Sequence, residues 1–351
     1  MKVAMFEKPH HLNITHKELR ALKGDEVLVD VTACGVCGTD LHIVEGSARS
    51  SPPVVLGHEY TGIVADSGKD SNGYTVGDHV AIDPNIACGT CFYCRRGDVH
   101  LCKNLRALGV DIDGGMAEFC IVPSSQLYHI PSGMTPDQAA FIEPLSCAVH
   151  GIDRARIRAG DTVVVLGGGT VGLLLLQLAK ISGASRVIVV EPVEWKRTIA
   201  TRIGADEALD PNAVDVFQIV RDQTGEGADV VIECVGRPET VTLSLKLARR
   251  GGTVEWFGVC PLGETVRMEP NSVYFKELTI VGSYVNPHTF DRSIALIAAN
   301  KISFDHFVVH KFPLDGVHEA LKALTEGKRS KVSSCPRSET RVWSNNKYSM
   351  P

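Results

Sequence analysis

The sequence predicts an α/β protein with two regions of different character. The first 145 residues contain short β-like runs separated by glycine turns, which is typical of a strand-built domain. From Asp161 onward, apolar strands alternate with helix-like segments, and this alternation predicts a parallel sheet with helices on both faces. A Gly-x-Gly-x-x-Gly turn lies where the first of these strands meets a helix. A chain of 351 residues is long enough for two such domains.

The individual elements follow from the same patterns. In the first region we predict strands at residues 26–33, 54–64, 78–82 and 119–123. The second region opens with strand 162–166, helix 171–182, strand 186–190 and helix 194–203. It continues with strand 229–234, helix 239–248, strand 252–257 and strand 278–283. Strands that are apolar along their whole length must be covered on both faces.

Composition excludes several classes of protein. The net charge of −5 offers no surface for a polyanion, so we expect no nucleic-acid partner. The N-terminus has no apolar signal region and the chain has no apolar run of about 20 residues, so we expect neither export nor a membrane. We therefore expect a cytoplasmic protein, in which the eleven cysteines are metal ligands or buried thiols rather than disulfides.

Four cysteines lie close together in one stretch of the first region: Cys88, Cys91, Cys94 and Cys102. Their spacing suits one tetrahedral Zn²⁺ closed by four thiolates, which would be a structural site. An iron–sulfur cluster begins with the same spacing, but there the fourth thiol follows after three residues and precedes proline. Here Cys102 follows after seven residues and precedes Lys103. The spacing therefore favours zinc over a cluster or a pair of disulfides.

A second set of candidate ligands is scattered along the first region. Cys37 lies in a Gly-Val-Cys-Gly-Thr-Asp-Leu-His run, His58 and Glu59 follow Gly57, and Glu143 precedes a proline. Together they offer one thiolate, one imidazole and two carboxylates, which is enough for an open, catalytic zinc site. A second directly bound carboxylate would make the site anionic and a poorer Lewis acid. We therefore expect one of Glu59 and Glu143 to bind directly and the other to act through water, and the sequence leaves open which.

The glycine-rich turn predicts a dinucleotide site. Its candidate contacts lie between a predicted strand and helix: Gly167, Gly169, Val171 and Gly172. Glycine lets the backbone approach a pyrophosphate, and the helix N-terminus attracts its charge. Glu191 ends the next strand, and its carboxylate can bond both ribose hydroxyls and repel a 2′-phosphate, so NAD is favoured over NADP. Lys196 and Arg197 follow and would soften this preference unless they form a solvated helix face; Lys196 is kept as a candidate cofactor contact.

These motifs together resemble the zinc-dependent medium-chain dehydrogenases of the alcohol dehydrogenase superfamily, and within it the sorbitol and polyol dehydrogenases. The resemblance runs in order from about residue 27 to 331: Cys-Gly-Thr-Asp-x-His, Gly-His-Glu, Gly-Asp-x-Val, the cysteine lobe, Glu-Pro-Leu-Ser and the glycine-rich turn. It implies a mostly-β, GroES-like catalytic domain at 1–146 and 286–351, and a doubly wound Rossmann domain at 147–285 that binds NAD. It also implies structural zinc in the cysteine lobe, and therefore two zinc ions per chain.

The resemblance also gives the candidate residues catalytic roles. Zinc lowers the pKa of a bound alcohol, from whose carbon a hydride passes to nicotinamide. Thr39 would hydrogen-bond the substrate oxygen, and His42 would hand the proton to water through a relay that includes the cofactor ribose. Asp40 would orient a ligand or the metal-site helix. The alternatives are a helix-capping threonine and a surface histidine.

The end of the second region bears on the substrate. Sorbitol dehydrogenases carry an Arg-Tyr pair that contacts the polyol, and the matching residues here are Ser283 and Tyr284. Losing the arginine weakens the case for sorbitol itself, while Glu143 and Tyr284 remain candidates to bond vicinal hydroxyls and Phe119 to wall the pocket. We expect an NAD-dependent dehydrogenase of a polyol or other secondary alcohol, assembled as a homodimer or homotetramer. The alternatives are L-threonine 3-dehydrogenase or butanediol dehydrogenase activity and, in a different class, a non-catalytic nucleotide-binding zinc protein.

The C-terminus departs from the family pattern. Relatives finish with an apolar strand soon after a Gly-Lys-Val run, whereas this chain continues into Ser333-Ser334-Cys335-Pro336 and a polar tail. From about Ser333 onward we expect either a disordered tail or a substitute for the usual strand.

Overall fold

The computed structural model describes residues 1–304, 307, 309–325 and 331–335. Its strands are β1 (Lys2–Lys8), β2 (His11–His16), β3 (Glu26–Val36), β4 (Val54–Val55), β5 (Glu59–Ser67), β6 (His79–Ile82), β7 (Asn85–Ile86), β8 (Arg106–Ala107), β9 (Phe119–Pro123), β10 (Leu127–His129), β11 (Thr162–Leu166), β12 (Arg186–Val190), β13 (Glu207–Leu209), β14 (Ala228–Glu233), β15 (Ala248–Trp256), β16 (Thr279–Gly282), β17 (Val309–Pro313) and β18 (Lys331–Cys335). Its α-helices are α1 (Gly38–Glu45), α2 (Pro136–Ala139), α3 (Ile142–Ala155), α4 (Thr170–Ile181), α5 (Glu194–Arg202), α6 (Val216–Thr224), α7 (Pro238–Leu247), α8 (Pro270–Lys276), α9 (Phe290–Ala298) and α10 (Val317–Thr325). Within the described ranges, no helix is both long and apolar enough to cross a membrane.

A six-stranded parallel sheet forms the middle of the chain, in the order β13-β12-β11-β14-β15-β16. Alternate residues of its strands enter two separate apolar clusters. In β11, Val163 and Val165 pack in the cluster that contains residues of α3, α4, α5 and α9. Val164 and Leu166 pack in the cluster that contains residues of α6 and α7. Both faces of the sheet are therefore covered, which confirms the predicted α/β architecture.

A second large sheet is built mainly from the first part of the chain. Its order is β10-β6-β5-β3-β18-β17, and β9 also pairs with β3. The strand β18 joins it by pairing antiparallel with β3 and parallel with β17. Residues 333–335, where the usual strand was in doubt, thus belong to a strand, and the tail from residue 336 lies outside the described residues. The predicted domain boundaries at 146/147 and 285/286 stay a prediction.

Predicted and observed elements differ most clearly between residues 54 and 64. The sequence predicts one strand there, whereas the structure has β4 and β5 with a turn between them. Gly57 sits in this turn with φ of 94°, and a Cβ at Gly57 would lie 2.6 Å from Cys34 Sγ and 2.8 Å from the backbone of Met116. Only glycine fits such a conformation and such a close approach. The break sets the direction in which the following His58 and Glu59 project.

Candidate active site and metal centres

The four cysteines of the lobe converge on one point. Their sulfur atoms all lie within 4.8 Å of one another. Cys88 Sγ is 4.0 Å and Cys91 Sγ is 3.5 Å from Cys94 Sγ. Two short 3₁₀ helices fold the loop back so that Cys102 joins the others. All four are free thiols, so no disulfide competes with a metal for them.

The surroundings of these sulfurs suit thiolates. The amides of Cys88 and Asn104 both donate to Cys102 Sγ over 3.3 Å. Hydrogen bonds from Thr90 lower the pKa of Cys88 to about 5, whereas desolvation and the neighbouring thiols raise the pKa of Cys94 to about 12. Four thiolates this close repel one another unless a cation lies among them. The donor set therefore fits a closed, four-sulfur zinc site.

A second group of possible ligands lies where α1 and β5 begin. The ligand atoms of Cys37, His58 and Glu59 lie within 4.8 Å of one another. Pairing of β3 with β5 places Gly35 opposite Glu59, which brings Cys37 beside the turn that carries His58. His58 and Glu59 are buried, and Cys37 is half-buried. One thiolate, one imidazole and one carboxylate make three protein ligands, the number that leaves a zinc site open.

Asp40 contacts two residues of this second group, Cys37 and His58. Its carboxylate is fully buried, Oδ2 accepts from the Cys37 amide at 2.8 Å, and Oδ1 lies 3.5 Å from His58 Nδ1. With Nδ1 turned to Asp40, the other ring nitrogen of His58 is left to bind a metal. Burial alone would lower the pKa of His58, but Asp40 and Cys37 outweigh it and hold that pKa well above its usual range. This negative environment fits a bound cation.

Glu143 lies beside the group rather than within it. It is buried in the first turn of α3 and is not among the ligand atoms that lie within 4.8 Å of one another. Burial raises its pKa, while the charge of His58 and a hydrogen bond from Cys147 lower it. Cys147 Sγ donates to Glu143 Oε1 over 3.5 Å. This arrangement favours Glu59 as the directly bound carboxylate and Glu143 as the one that acts at a distance, and the assignment stays a prediction.

Thr39 and His42 lie one turn apart on α1, and both are exposed. Thr39 Oγ1 is 3.7 Å from Cys37 Sγ, so the hydroxyl adjoins the candidate metal group. His42 Nδ1 is 3.3 Å from Ser47 Oγ and 3.8 Å from Glu45 Oε2. The two side chains therefore share a helix face that leads from the group to solvent.

The glycine-rich turn connects β11 to α4 at the carboxyl edge of the parallel sheet. Gly167 has φ of 111°, and a Cβ on Gly172 would lie 1.9 Å from the Gly167 carbonyl oxygen. Glu191 at the end of β12 is buried beneath the turn. Its Oε2 accepts from the Gly168 amide at 2.8 Å and its Oε1 from the Val193 amide at 2.9 Å. The predicted ribose-binding carboxylate of Glu191 is thus fixed between the glycine-rich turn, which contains Gly168, and the loop after β12, which contains Val193.

The two cations near Glu191 both have partners. Arg197 donates to the carbonyls of Glu191 and Pro192 and lies 3.1 Å from Asp210 Oδ2. Lys196 Nζ lies 5.7 Å from the centre of the Trp195 ring, within reach of a cation–π interaction. Through these contacts Arg197 and Lys196 bind to neighbouring residues of the same sheet region rather than pointing free into solvent. They weaken the case for a 2′-phosphate site.

Two of the predicted substrate contacts lie in different sheets of the chain, Tyr284 after β16 and Phe119 in β9. Tyr284 follows the edge strand β16 and is 55% exposed. Phe119 is half-buried in β9, opposite Asp30 of β3. The roles of Tyr284 and Phe119 as substrate contacts stay predictions.

One half-buried acid near this group was missed from the sequence. Asp83 follows β6, and burial raises its pKa to about 7, with the charge of Glu143 adding to the rise and hydrogen bonds from Asn85 and Asn286 opposing it. The short Asp-Pro-Asn sequence after a buried strand was the available signal. Nothing in it shows that Asp83 lies close enough to Glu143 for their charges to interact.

Two protein-family models match this chain. The family model for the alcohol dehydrogenase GroES-like domain matches residues 23–132, and that for zinc-binding dehydrogenase matches residues 170–299. D-arabinitol dehydrogenase 1 of Uromyces fabae is 35% identical over 96% of this chain and 97% of its own length. L-threonine 3-dehydrogenase of Pyrococcus horikoshii is 37% identical over 88% of this chain and 90% of its own length.

A solved structure supports the same relationship. A candidate zinc-binding dehydrogenase from Sinorhizobium meliloti 1021, bound to NADP, superposes with a TM-score of 0.92 and 41% identity. The match covers 95% of this chain and 99% of that one. The chain belongs to the zinc-dependent medium-chain dehydrogenases of the alcohol dehydrogenase superfamily.

Proposed function

We propose that this protein oxidises a secondary hydroxyl of a polyol to a ketone, using NAD and two zinc ions. The observation that carries the proposal is the open three-ligand group of Cys37, His58 and Glu59 at the exposed face of α1. The D-arabinitol dehydrogenase relative matches along nearly the whole chain, which supports a polyol as substrate. Dehydrogenase relatives along both regions of the chain favour an enzyme over the non-catalytic nucleotide-binding alternative.

Zinc bound by the Cys37 group would act as a Lewis acid that makes a carbinol hydroxyl easier to deprotonate. The Thr39 hydroxyl adjoins Cys37 and is placed to hydrogen-bond the substrate oxygen. Thr39 and His42 would pass the hydroxyl proton of the substrate to solvent, and a nicotinamide cofactor, when bound, would accept the hydride from the substrate carbon. Glu143, whose pKa is raised by burial, would bond a neighbouring hydroxyl of a polyol.

The cofactor choice rests on Glu191. Its two oxygens accept backbone amides, which fixes a negative charge where a 2′-phosphate would otherwise lie. Arg197 is paired with Asp210, so it does not offset this charge. We therefore propose NAD as the preferred cofactor, although the Sinorhizobium meliloti structure contains NADP.

Self-association is proposed from the free edge of the parallel sheet. Among the described strands, β16 ends this sheet on one side. Apolar side chains near it are highly exposed: Val259 at 86%, Leu262 at 100%, Tyr274 at 76% and Phe275 at 67%. An open edge beside apolar surface suits pairing with a second copy, as a homodimer or a pair of dimers. Analytical ultracentrifugation tests this, and a monomer at micromolar concentration would contradict it.

A cytoplasmic location is proposed from the cysteines. The ten cysteines that lie between residues 34 and 260 are all free thiols. Thiols persist in a reducing compartment, where they remain available to bind metal. The test is to expose purified protein to an oxidant and to measure its zinc content and its free thiols. Loss of zinc together with loss of thiols would show that the fold depends on a reducing environment.

The proposed activity is tested by following reduced nicotinamide at 340 nm. Purified protein with zinc and NAD would be mixed separately with D-arabinitol, sorbitol, 2,3-butanediol and L-threonine. We expect the highest kcat/KM for a polyol. L-threonine is the second candidate because of the Pyrococcus horikoshii relative, and a preference for it would replace the polyol assignment. Silence on every substrate with both zinc ions present would contradict the proposed function.

A further inference from the structure

A set of buried hydrogen bonds joins the two places where the chain crosses between the predicted domains. The predicted crossings lie at 146/147 and 285/286. Asn286 Nδ2 donates to Ser146 Oγ at 2.9 Å, and Thr289 Oγ1 donates to the Ser146 carbonyl at 2.8 Å. None of these three residues is more than 2% exposed. The crossings are therefore tied to each other away from water.

The same bonds extend to Glu143 on one side and to Asp83 on the other. Ser146 Oγ, which accepts from Asn286, donates to the Glu143 carbonyl at 2.6 Å. Asn286 Oδ1 accepts from Asn85 Nδ2 at 2.7 Å, and the Asn85 amide donates to Asp83 Oδ1 at 3.0 Å. From Asn85 to Glu143 the donors all point the same way, and bonds arranged like this strengthen one another.

The backbone around Asn286 is held in an unfavourable conformation. Val285 has φ of 48° and His288 has φ of 57°, a left-handed region that bulky and β-branched residues rarely adopt. Such conformations persist only where the surrounding structure imposes them. The bonds of Asn286 and Thr289 supply part of that constraint, and His288 Nε2 lies 3.2 Å from the Gly97 carbonyl in the cysteine lobe. The segment therefore holds Asn286 in one place and does more than connect two elements.

We propose that Asn286 is a positioning residue for Glu143, acting through Ser146. Its carboxamide sets the first turn of α3 against the group formed by Cys37, His58 and Glu59. The kinetic consequence rests on the proposed function, because only a working dehydrogenase shows a loss of turnover. The structural consequence, a looser first turn of α3, is independent of the substrate.

The kinetic test is Asn286→Ala, measured with the best substrate of the zinc-loaded enzyme. We expect kcat to fall about 10- to 100-fold, as for other groups that orient a site residue, with KM for NAD within about twofold and zinc unchanged. Ser146→Ala should give the same loss. The double variant should have a kcat no lower than that of the less active single variant, because both residues act on one path. A wild-type kcat in Asn286→Ala, or losses that add in the double variant, would overturn the proposal.

A matched control exists in Asn72, whose Nδ2 donates to Ser124 Oγ at 2.9 Å, the same type of bond outside this site. Asn72→Ala should keep kcat, and a loss equal to that of Asn286→Ala would show that any such bond has this effect and overturn the assignment.

The structural test is amide hydrogen exchange of the full-length protein, which requires no turnover. Asn286→Ala should speed exchange in residues 142–149 and 283–289 and leave residues 2–16 as in the wild type. Unchanged exchange at 142–149 would overturn the positioning role, whereas a wild-type enzyme silent on every substrate would overturn only the proposed function. If Asn286→Ala does not fold, Asn85→Ala removes one partner of Asn286, and it should show a smaller rise in the same segments; no rise would count against the proposal.

Discussion

The two candidate metal centres differ in where their ligands come from and what surrounds them. The cysteine lobe takes four thiols from one loop, and backbone amides of that loop bond its sulfurs. The Cys37 group is assembled from two paired strands and a helix, with the buried carboxyls of Asp40 and Glu143 beside it. A loop can close on a metal by itself. A centre assembled from separate elements leaves one side open and lets neighbouring groups tune its chemistry.

Removing a ligand of the open centre should have the largest effect. In Cys37→Ser we expect kcat to fall at least about 1,000-fold, because a bound metal supplies several kcal/mol of transition-state stabilisation. Binding of NAD, followed by fluorescence titration, should be unchanged, since the glycine-rich turn lies on another sheet. Turnover that survives the substitution would show that the reactive centre has been misassigned.

Removing a ligand of the closed centre should affect stability instead. In Cys91→Ser we expect the lobe to lose its metal and the apparent melting temperature to fall by roughly 5–10 °C. At a temperature where the variant is folded, kcat should stay within about tenfold of the wild type, because the lobe touches no reacting atom. Steady-state kinetics at 15 °C beside a thermal melt would measure both, and a loss of kcat as large as in Cys37→Ser would erase the distinction between the centres.

Asp40 tests whether the surroundings of the open centre matter. Asp40→Asn keeps the shape but removes the charge that faces His58 Nδ1. We expect zinc affinity of the open centre, or kcat/KM, to fall about 10- to 100-fold. Competition with a chelator measures the affinity, and Asp78→Asn is the control, at a half-buried acid in another turn that accepts from Thr75. Equal effects of the two substitutions would refute a specific role for Asp40.

Glu191 tests the proposed cofactor preference at the carboxyl edge of the parallel sheet. In Glu191→Gln the negative charge is lost while one oxygen can still accept an amide. We expect the ratio of kcat/KM for NADP to that for NAD to rise about tenfold, because a charged hydrogen bond to the ribose is lost and a repulsion removed. An unchanged ratio would show that Glu191 only fixes the turn through Gly168 and Val193.

Substitution of Asp83 should have the smallest effect, a change in how the melting temperature depends on pH. Burial raises its pKa from 3.8 to about 7, so folding favours the protonated form. The resulting stabilisation is fully present below pH 3.8 and is lost as the pH rises through 7. Asp83→Asn lacks this dependence, so its melting temperature relative to the parent should rise by a few degrees between pH 5 and pH 8, roughly as expected for a shift of this size. Both proteins would carry Cys37→Ser, so that zinc bound at the open centre does not contribute to the pH dependence, and a difference that does not vary with pH would contradict the raised pKa of Asp83.

Much of the parallel-sheet region could be predicted from local pattern. Strands at 162–166 and 186–190 have the predicted bounds because four of the five residues in each are apolar, as expected where both faces are covered. The turn at Gly57 was missed because Val54, Val55 and Leu56 continue an apolar run, and only the packing of Cys34 and Met116 against Gly57 reveals the break.

The candidate ligands could also be named in advance, because metal-binding residue types at known spacings are rare. The hydrogen bonds of Asn286 could not be predicted from the sequence. Asn286 meets Asn85 and Ser146 across 201 and 140 residues, and an asparagine in a loop has no local signal that identifies such partners. Contacts of this kind follow only from the way the two crossings of the chain fold back on each other.

The central claim, two zinc centres of different composition, is tested most directly by zinc-edge X-ray absorption on the wild type and Cys37→Ser. One four-sulfur centre and one centre with a single sulfur average about 2.5 sulfurs per zinc at about 2.3 Å. When Cys37→Ser empties the open centre, only the lobe remains, so the average should rise to about four sulfurs while the zinc content halves. An average that falls or stays constant would contradict the separation of the two centres.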